Sequence, residues 1–360
     1  MGRTIITRAA RNVGLIFCAL VVCATSNAAK TRPPESGRYK GDAGLRQAPA
    51  YKRAMRQVTD ETGRRVQIPL TVRNIVTLAP DLTETVYALG LGERLAGDTT
   101  YCDSPPAAKD KPHVGAPQNP SLEAIVALHP DLVLATTSIN SPQTADALAA
   151  VGIAVYTSDP HTVRGMLDSI ARMADLMGAG EQGATLVAQL QARLDALHTR
   201  LADLPLVHVL FVVWEDPLIT IGPSTFIADA LRWAGAESVI VAKQNWPQVS
   251  IEEIVRLQPE FIVLTPNHDE SSTAHQIADL RTRPAWKGLR ALEMGHVGVV
   301  GEEFIRPSPG LIDAIEQLAH ELHPEAFSEK TSQQREQRIE NGPRFDATTL
   351  MMKDCNACAH

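Results

Sequence analysis

Apolar residues follow two rhythms along this chain between about residue 58 and about residue 325: short unbroken runs, and longer stretches in which they recur three and four apart. The runs predict buried strands and the spaced stretches predict helices. Strands are expected at 64–70, 74–78, 95–99, 132–135 and 154–157, with helices at 82–89, 121–128 and 142–150 among them. Two longer helical patterns follow at 162–177 and 181–202, broken by Gly178-Ala179-Gly180. In the second, Ala184, Leu186, Val187, Leu190, Leu194 and Leu197 form an apolar stripe on a helix about 30 Å long, enough to bridge two lobes. The alternation then resumes, with strands at 207–213, 261–264 and 297–300 and helices at 225–234, 251–257, 271–280 and 309–322. Such alternation predicts an α/β fold with mostly parallel sheets and helices on their faces. The expected layout is an N-terminal lobe at 58–157, linking helices at 158–204 and a C-terminal lobe at 205–327.

One half of this pattern echoes the other. Ser-Leu-Glu-Ala-Ile-Val-Ala-Leu-His-Pro-Asp-Leu-Val-Leu at 121–134 matches Ser-Ile-Glu-Glu-Ile-Val-Arg-Leu-Gln-Pro-Glu-Phe-Ile-Val at 250–263. Each copy reads as a serine N-cap, a short helix, a proline that stops it and a buried strand. Each also places a glutamate, Glu123 or Glu252, in the first helical turn, where a carboxylate complements the helix dipole. The plain reading is electrostatic capping. The sharper one is a pair of lobes presenting matched acidic points to one partner.

The flanks lack either rhythm. Arg3, Arg8 and Arg11 precede an apolar run from Val13 to Val22, and Ser26-Asn27-Ala28 supplies small residues, so residues 1–29 are expected to be a secretory signal peptide. A lipid anchor at Cys23 would want a small residue before it; Val22 is not small, so cleavage is favoured over lipidation. Residues 30–57 read as a flexible spacer and residues 328–360 as a disordered tail. Without the three signal arginines the formal charge of −7 becomes about −10, which argues against a nucleic-acid partner. The predicted mature chain, exported and periplasmic, retains Cys102, Cys355 and Cys358, an odd number that gives no disulfide framework.

Motifs of catalysis are missing: there is no Gly-x-x-x-x-Gly-Lys loop, no Gly-x-Ser-x-Gly elbow and no His-Glu-x-x-His. No enzyme activity and no resident cofactor are expected. Gly222-Pro223-Ser224 ahead of a helix reads as a turn and cap, or as an anion site at the helix N-terminus. The terminal Cys355, Cys358 and His360 could chelate a soft metal or make the chain a redox protein; the simpler alternative is a dispensable tail whose thiols pair locally.

The runs at 73–84 (Arg-Asn-Ile-Val-Thr-Leu-Ala-Pro-Asp-Leu-Thr-Glu), 100–106 (Thr-Tyr-Cys-Asp-Ser-Pro-Pro), 121–134, 214–217 (Trp-Glu-Asp-Pro) and 245–263, which opens Asn-Trp-Pro-Gln-Val-Ser, carry a resemblance. Together they resemble the periplasmic cobalamin-binding proteins, within the helical-backbone receptors that also serve ferric siderophores, haem and other metal chelates. The likeness spans about residues 58–325. It implies two lobes joined by one rigid helix, here 181–202, with a ligand in the cleft between them. It also implies a monomer that delivers a corrinoid, cobalamin first, to an inner-membrane ABC permease with its ATPase; a ferric siderophore or haem is the alternative cargo.

By position, the resemblance gives Glu123 and Glu252 the role of docking on the permease, and makes Tyr101, Trp214, Trp246, Phe304 and Arg306 ligand contacts. Pro117, Thr136, Ile219 and Glu303 stand where the nearest cobalamin binders have Trp or Phe, so a less aromatic cleft is expected. Four of these contacts have a structural alternative: Trp246 packing on its own lobe, Tyr101 closing a strand end, Trp214 in the core or cleft floor, and Arg306 pairing with Glu302 or Glu303.

Overall fold

The computed structural model describes residues 54–265 and 273–328. The ordered chain opens with a hairpin, β1 (Met55–Thr59) and β2 (Arg65–Pro69), paired antiparallel. The predicted spacer therefore ends earlier than expected. Asp60 is the reason: its buried carboxylate accepts from the backbone N–H groups of Thr62 and Arg64 and closes the turn between the strands.

The N-terminal lobe continues as β3 (Ile75–Thr77), α1 (Pro80–Ala88), β4 (Leu95–Gly97), the short pair β5 (Gly115–Ala116) and β6 (Asn119–Pro120), α2 (Leu122–Ala127), β7 (Leu132–Thr136), α3 (Pro142–Ala150) and β8 (Val155–Ser158). Its sheet runs in the order β4-β3-β7-β8, all parallel, and β7 is buried along its whole length. Burial on both faces explains the unbroken apolar runs. After α4 (Val163–Leu176) and α5 (Gly180–Leu201), the C-terminal lobe comprises β9 (Val207–Glu215), β10 (Leu218–Thr220), α6 (Phe226–Trp233), β11 (Ala236–Ser238), α7 (Ile251–Leu257), β12 (Phe261–Leu264), α8 (Thr273–Thr282), α9 (Arg290–Met294), β13 (Val297–Val299) and α10 (Leu311–Leu322). There β9, β12 and β13 are parallel, β11 joins β9 in parallel, and β10 folds back antiparallel on the end of β9. Strands β10 and β11 and helix α9 are too short for apolar periodicity to reveal.

The internal repeat holds at atomic detail. Ser121 and Ser250 each accept a hydrogen bond at 3.2 Å from the backbone N–H three residues on. His129 and Gln258, each just before the proline, share the left-handed backbone at φ 47°. The acids that follow the prolines tie each unit to its lobe: Asp131 accepts from the N–H groups of Arg73 and Asn74, and Glu260 accepts from that of His208. One supersecondary unit thus serves both lobes.

The linking helix α5 has 22 residues, about 33 Å at 1.5 Å per residue. It does not stand alone. A Cβ on Gly183 would lie 2.3 Å from Ala174 Cβ, so glycine is what lets α4 press against α5. Arg193 of α5 bonds Glu316 and Asp313 of α10. One buried apolar cluster runs from Ile75 and Leu132 of the first lobe through Leu190 and Leu194 of α5 to Phe211 and Ile315 of the second. A shared core of this kind resists hinge motion more than a bare helix would.

Candidate functional site

In open α/β sheets ligands gather beyond the carboxyl ends of the strands. Loops that leave the two sheets at those ends meet, joined by an ion pair. Glu84, in the first turns of α1 after β3, lies 3.6 Å from Arg306, which follows the 3₁₀ turn Glu302–Ile305 after β13. Arg306 also contacts Glu302. The local pairing was legible in the chain, whereas the pairing across the lobes was not.

Asp81 sits beside this junction and is buried. Burial, reinforced by the charge of Glu84 and opposed by Arg306, pushes its carboxyl up to about 7. Burial also raises Glu84, against the opposing pull of Ser308 and Arg306. Neither carboxylate stood out in the sequence, where both fall within the run at 73–84 with no role of their own. Asn140 was missed as well: its amide donates to the carbonyls of Leu78 and Pro117, while its oxygen accepts from the N–H of Thr136. It thereby clamps three loops at the carboxyl end of the first sheet. An asparagine before a serine-capped helix gives no such signal.

Three aromatic side chains project from these same ends. Tyr101 lies on the turn after β4 and is 53% exposed. Trp214, at the end of β9, is 56% exposed and donates its indole N–H to the carbonyl of Asp216. Trp246 is 54% exposed, on a segment held along β10 by the Ile219–Gln248 bridge and by bonds from Thr220 N–H to Pro247 and from Gly222 N–H to Asn245. Because Trp214 pairs with Ile219 in the ladder, both tryptophans decorate one corner of the second lobe. Of the alternatives for Trp214, a place in the core does not hold: β9 becomes exposed at its end, and Trp214 is more than half exposed.

Phe304 requires the opposite correction. It is fully buried and stacks on Phe211 with ring centroids 5.9 Å apart. The tight 3₁₀ turn points Phe304 inward and leaves its neighbour Glu303 exposed. Its place is therefore in the core. The anion reading of Gly222-Pro223-Ser224 also fails, since the Gly222 N–H is already bonded to Asn245 and Thr225 caps α6. A Cβ on Gly222 would lie 2.0 Å from the Gln244 carbonyl oxygen, so the glycine admits the passing Trp246 segment.

Glu123 and Glu252 are both exposed near the N-termini of α2 and α7. Each helix precedes a strand of its lobe's sheet, α2 before β7 and α7 before β12. Beside Glu123, Leu122 and Val126 are 38% and 41% exposed, an apolar pair one turn apart on a very short helix. Neither glutamate side chain has a hydrogen-bond or ion-pair partner among the described residues.

A family model for periplasmic binding proteins matches residues 75–303. The chain belongs to the periplasmic binding protein family. Members of this family are substrate-binding transport proteins that work with ABC transporter permeases. This periplasmic binding protein is 28% identical over 253 residues to the vitamin B12-binding protein of Vibrio cholerae serotype O1, covering 69% of this chain and 89% of that one. The crystal structure of periplasmic vitamin B12 binding protein BtuF of Vibrio cholerae superposes with a TM-score of 0.63, at 28% identity, over 71% of this chain and 99% of that one. The periplasmic haem-binding protein BhuT in complex with two haems superposes with a TM-score of 0.64, at 26% identity, over 71% of this chain and 99% of that one. The α/β fold expected from the residues, two lobes with parallel sheets and a long linking helix, is thus the fold of this receptor class.

The signal at 1–29 and the tail with Cys355, Cys358 and His360 lie outside the described residues. Among the described residues no group of three or more His, Cys, Asp and Glu side chains is placed to hold a metal ion, and no helix is long and apolar enough to cross a membrane.

Proposed function

We propose that this protein is the exported periplasmic receptor of an ABC importer, that it captures a corrinoid, cobalamin, between its lobes, and that it hands the ligand to the inner-membrane permease. The observation that carries the reading is the aromatic trio Tyr101, Trp214 and Trp246, each more than half exposed at the carboxyl ends of facing sheets. Large aromatic surfaces left open on a packed scaffold suit a broad, flat partner that covers them. The likeness to vitamin B12-binding proteins supports a corrin ring as that partner.

Delivery is read from Glu123 and Glu252. Two carboxylates on repeat-equivalent helices match a two-subunit surface bearing one basic group per subunit, and such charges steer and orient docking. The shared core around α5 limits lobe closure, so the permease would sense ligand through small adjustments at the cleft.

Haem is the second reading. It is favoured by the likeness to BhuT and by exposed Tyr101, since a tyrosine phenolate serves as an axial ligand to haem iron in some proteins. Calorimetry of the purified protein with cyanocobalamin and with haemin separates the two. Saturable cyanocobalamin binding that quenches tryptophan fluorescence is expected; haemin binding without it would replace the corrinoid reading.

A further inference from the structure

A pocket that shares no residue with the aromatic trio lies where α4, α5 and α6 meet. It has a volume of about 380 Å³ and is lined by Arg164 of α4, Asp195 and His198 of α5, and Asp229, Arg232 and Trp233 of α6. Pockets of this size hold small organic molecules. The two carboxylates are already engaged: Asp229 accepts from the backbone N–H of Val163 at 2.8 Å, and Asp195 accepts from the Gln191 amide at 2.7 Å. The cations are not. Among the described residues, the side chains of Arg164, Arg232 and His198 make no hydrogen bond and no ion pair, with these carboxylates or with any other group. Arg164 and His198 instead meet Trp233: the guanidinium carbon lies 5.6 Å from the indole ring centroid, and the imidazole stands edge-on at 6.1 Å and 64°. A cation–π contact holds a guanidinium through the ring and uses none of its N–H donors. Trp233 is itself fixed, packed against the shared core. Two uncommitted arginine forks thus line one pocket beside an immobile aromatic surface.

We propose that this pocket is a binding site for a small aromatic carboxylate, with its acid groups on Arg164 and Arg232 and its ring against Trp233. An arginine fork takes a carboxylate through two parallel N–H···O bonds, and a flat ring suits the indole beside it. Inorganic phosphate would use the forks and leave the indole bare, so the tryptophan favours an aromatic acid. Helices α4 and α5 belong to the linking segment and α6 to the C-terminal lobe, where the Asp229–Val163 hydrogen bond already ties α6 to α4. An occupant adds a second tie across the same seam.

Calorimetry on the full-length mature protein near neutral pH tests this with three probes: isophthalate, its neutral analogue isophthalamide, and inorganic phosphate. Isophthalate should saturate a single site with a Kd below about 1 mM, phosphate should bind at least about tenfold more weakly, and isophthalamide should not bind. Arg164 and Arg232 are exposed, so Arg164→Gln and Arg232→Gln should fold, and each should weaken isophthalate binding about tenfold. Isophthalate should also quench tryptophan fluorescence, and Trp233→Phe, which keeps a ring in place, should retain binding and lose that quench. No isophthalate binding up to about 10 mM, or isophthalamide binding as tightly, would overturn the proposal. Affinity unchanged in both arginine variants, or a quench that persists in Trp233→Phe, would place the probe elsewhere and overturn it equally. Phosphate binding as tightly as isophthalate would refute the aromatic class of ligand.

Discussion

Asp81→Asn should convert a pH-dependent weakness of the fold into a pH-independent contact. Asp81 is buried, and its carboxyl is pushed from the ordinary 3.8 to about 7. The sign follows from proton counts. Between about pH 4 and pH 7 the folded state holds a proton at Asp81 that the unfolded state has released, so stability falls as pH rises through this window and levels off above 7. Moving the carboxyl from 3.8 to about 7 is worth at most about 4 kcal/mol, and local relaxation around a buried carboxylate reduces this to about 2–4 kcal/mol. Asparagine keeps the shape and one acceptor oxygen but carries no charge. Relative to wild type, it should gain about 2–4 kcal/mol between pH 4.5 and pH 8.5, or roughly 4–8 °C in Tm at about 2 °C per kcal/mol for a chain of this size. The assay is thermal unfolding of both proteins across that range. Asp98, raised to about 6 by burial, tilts both curves alike, so the difference between them isolates Asp81 together with its coupling to Glu84. A wild-type minus Asp81→Asn difference that stays constant with pH would refute the burial argument.

Replacing Glu123 and Glu252 together by Ala should lower transport at least tenfold in a reconstituted importer while ligand affinity stays within about twofold, as expected for charges that orient docking; unchanged uptake would remove the docking role. Phe304→Ala and Trp246→Ala should behave in opposite ways. The first should cost about 3–5 kcal/mol in urea unfolding as a core cavity, and the second should spare stability but weaken ligand binding about tenfold, as read by calorimetry. Gly222→Ala should destabilise by about 1–3 kcal/mol, because its Cβ would collide with the Gln244 carbonyl, and should also weaken binding by displacing the Trp246 segment. A thermal scan showing wild-type stability for Gly222→Ala would contradict the close approach.

Much of this molecule is written in local pattern. Strand β12 and helix α7 fall on the residues that apolar spacing indicates, and α5 begins and ends within a residue of its predicted span. The reason is that burial on both faces of a strand, or on one face of a helix, constrains residues at fixed short separations. The same locality preserves the repeat, where serine caps, pre-proline left-handed residues and strand-capping acids recur in both lobes. It also makes Glu123 and Glu252 visible as a pair.

Tertiary structure alone decided what depends on residues far apart in the chain. Phe304 and Glu303 are neighbours in the chain, yet a 3₁₀ turn buries one against Phe211 and leaves the other at the junction of the lobes. Glu84 carries no signal of its own in the chain until Arg306, from the other lobe, closes to 3.6 Å and Asp81 is sealed beside it. Burial and long-range charge are set by which surfaces meet. Periodicity reports which face of an element is apolar and leaves its partner unspecified, so the receptor class could be read along the chain, whereas the pairing of Glu84 with Arg306 emerged only where loops of the two lobes meet.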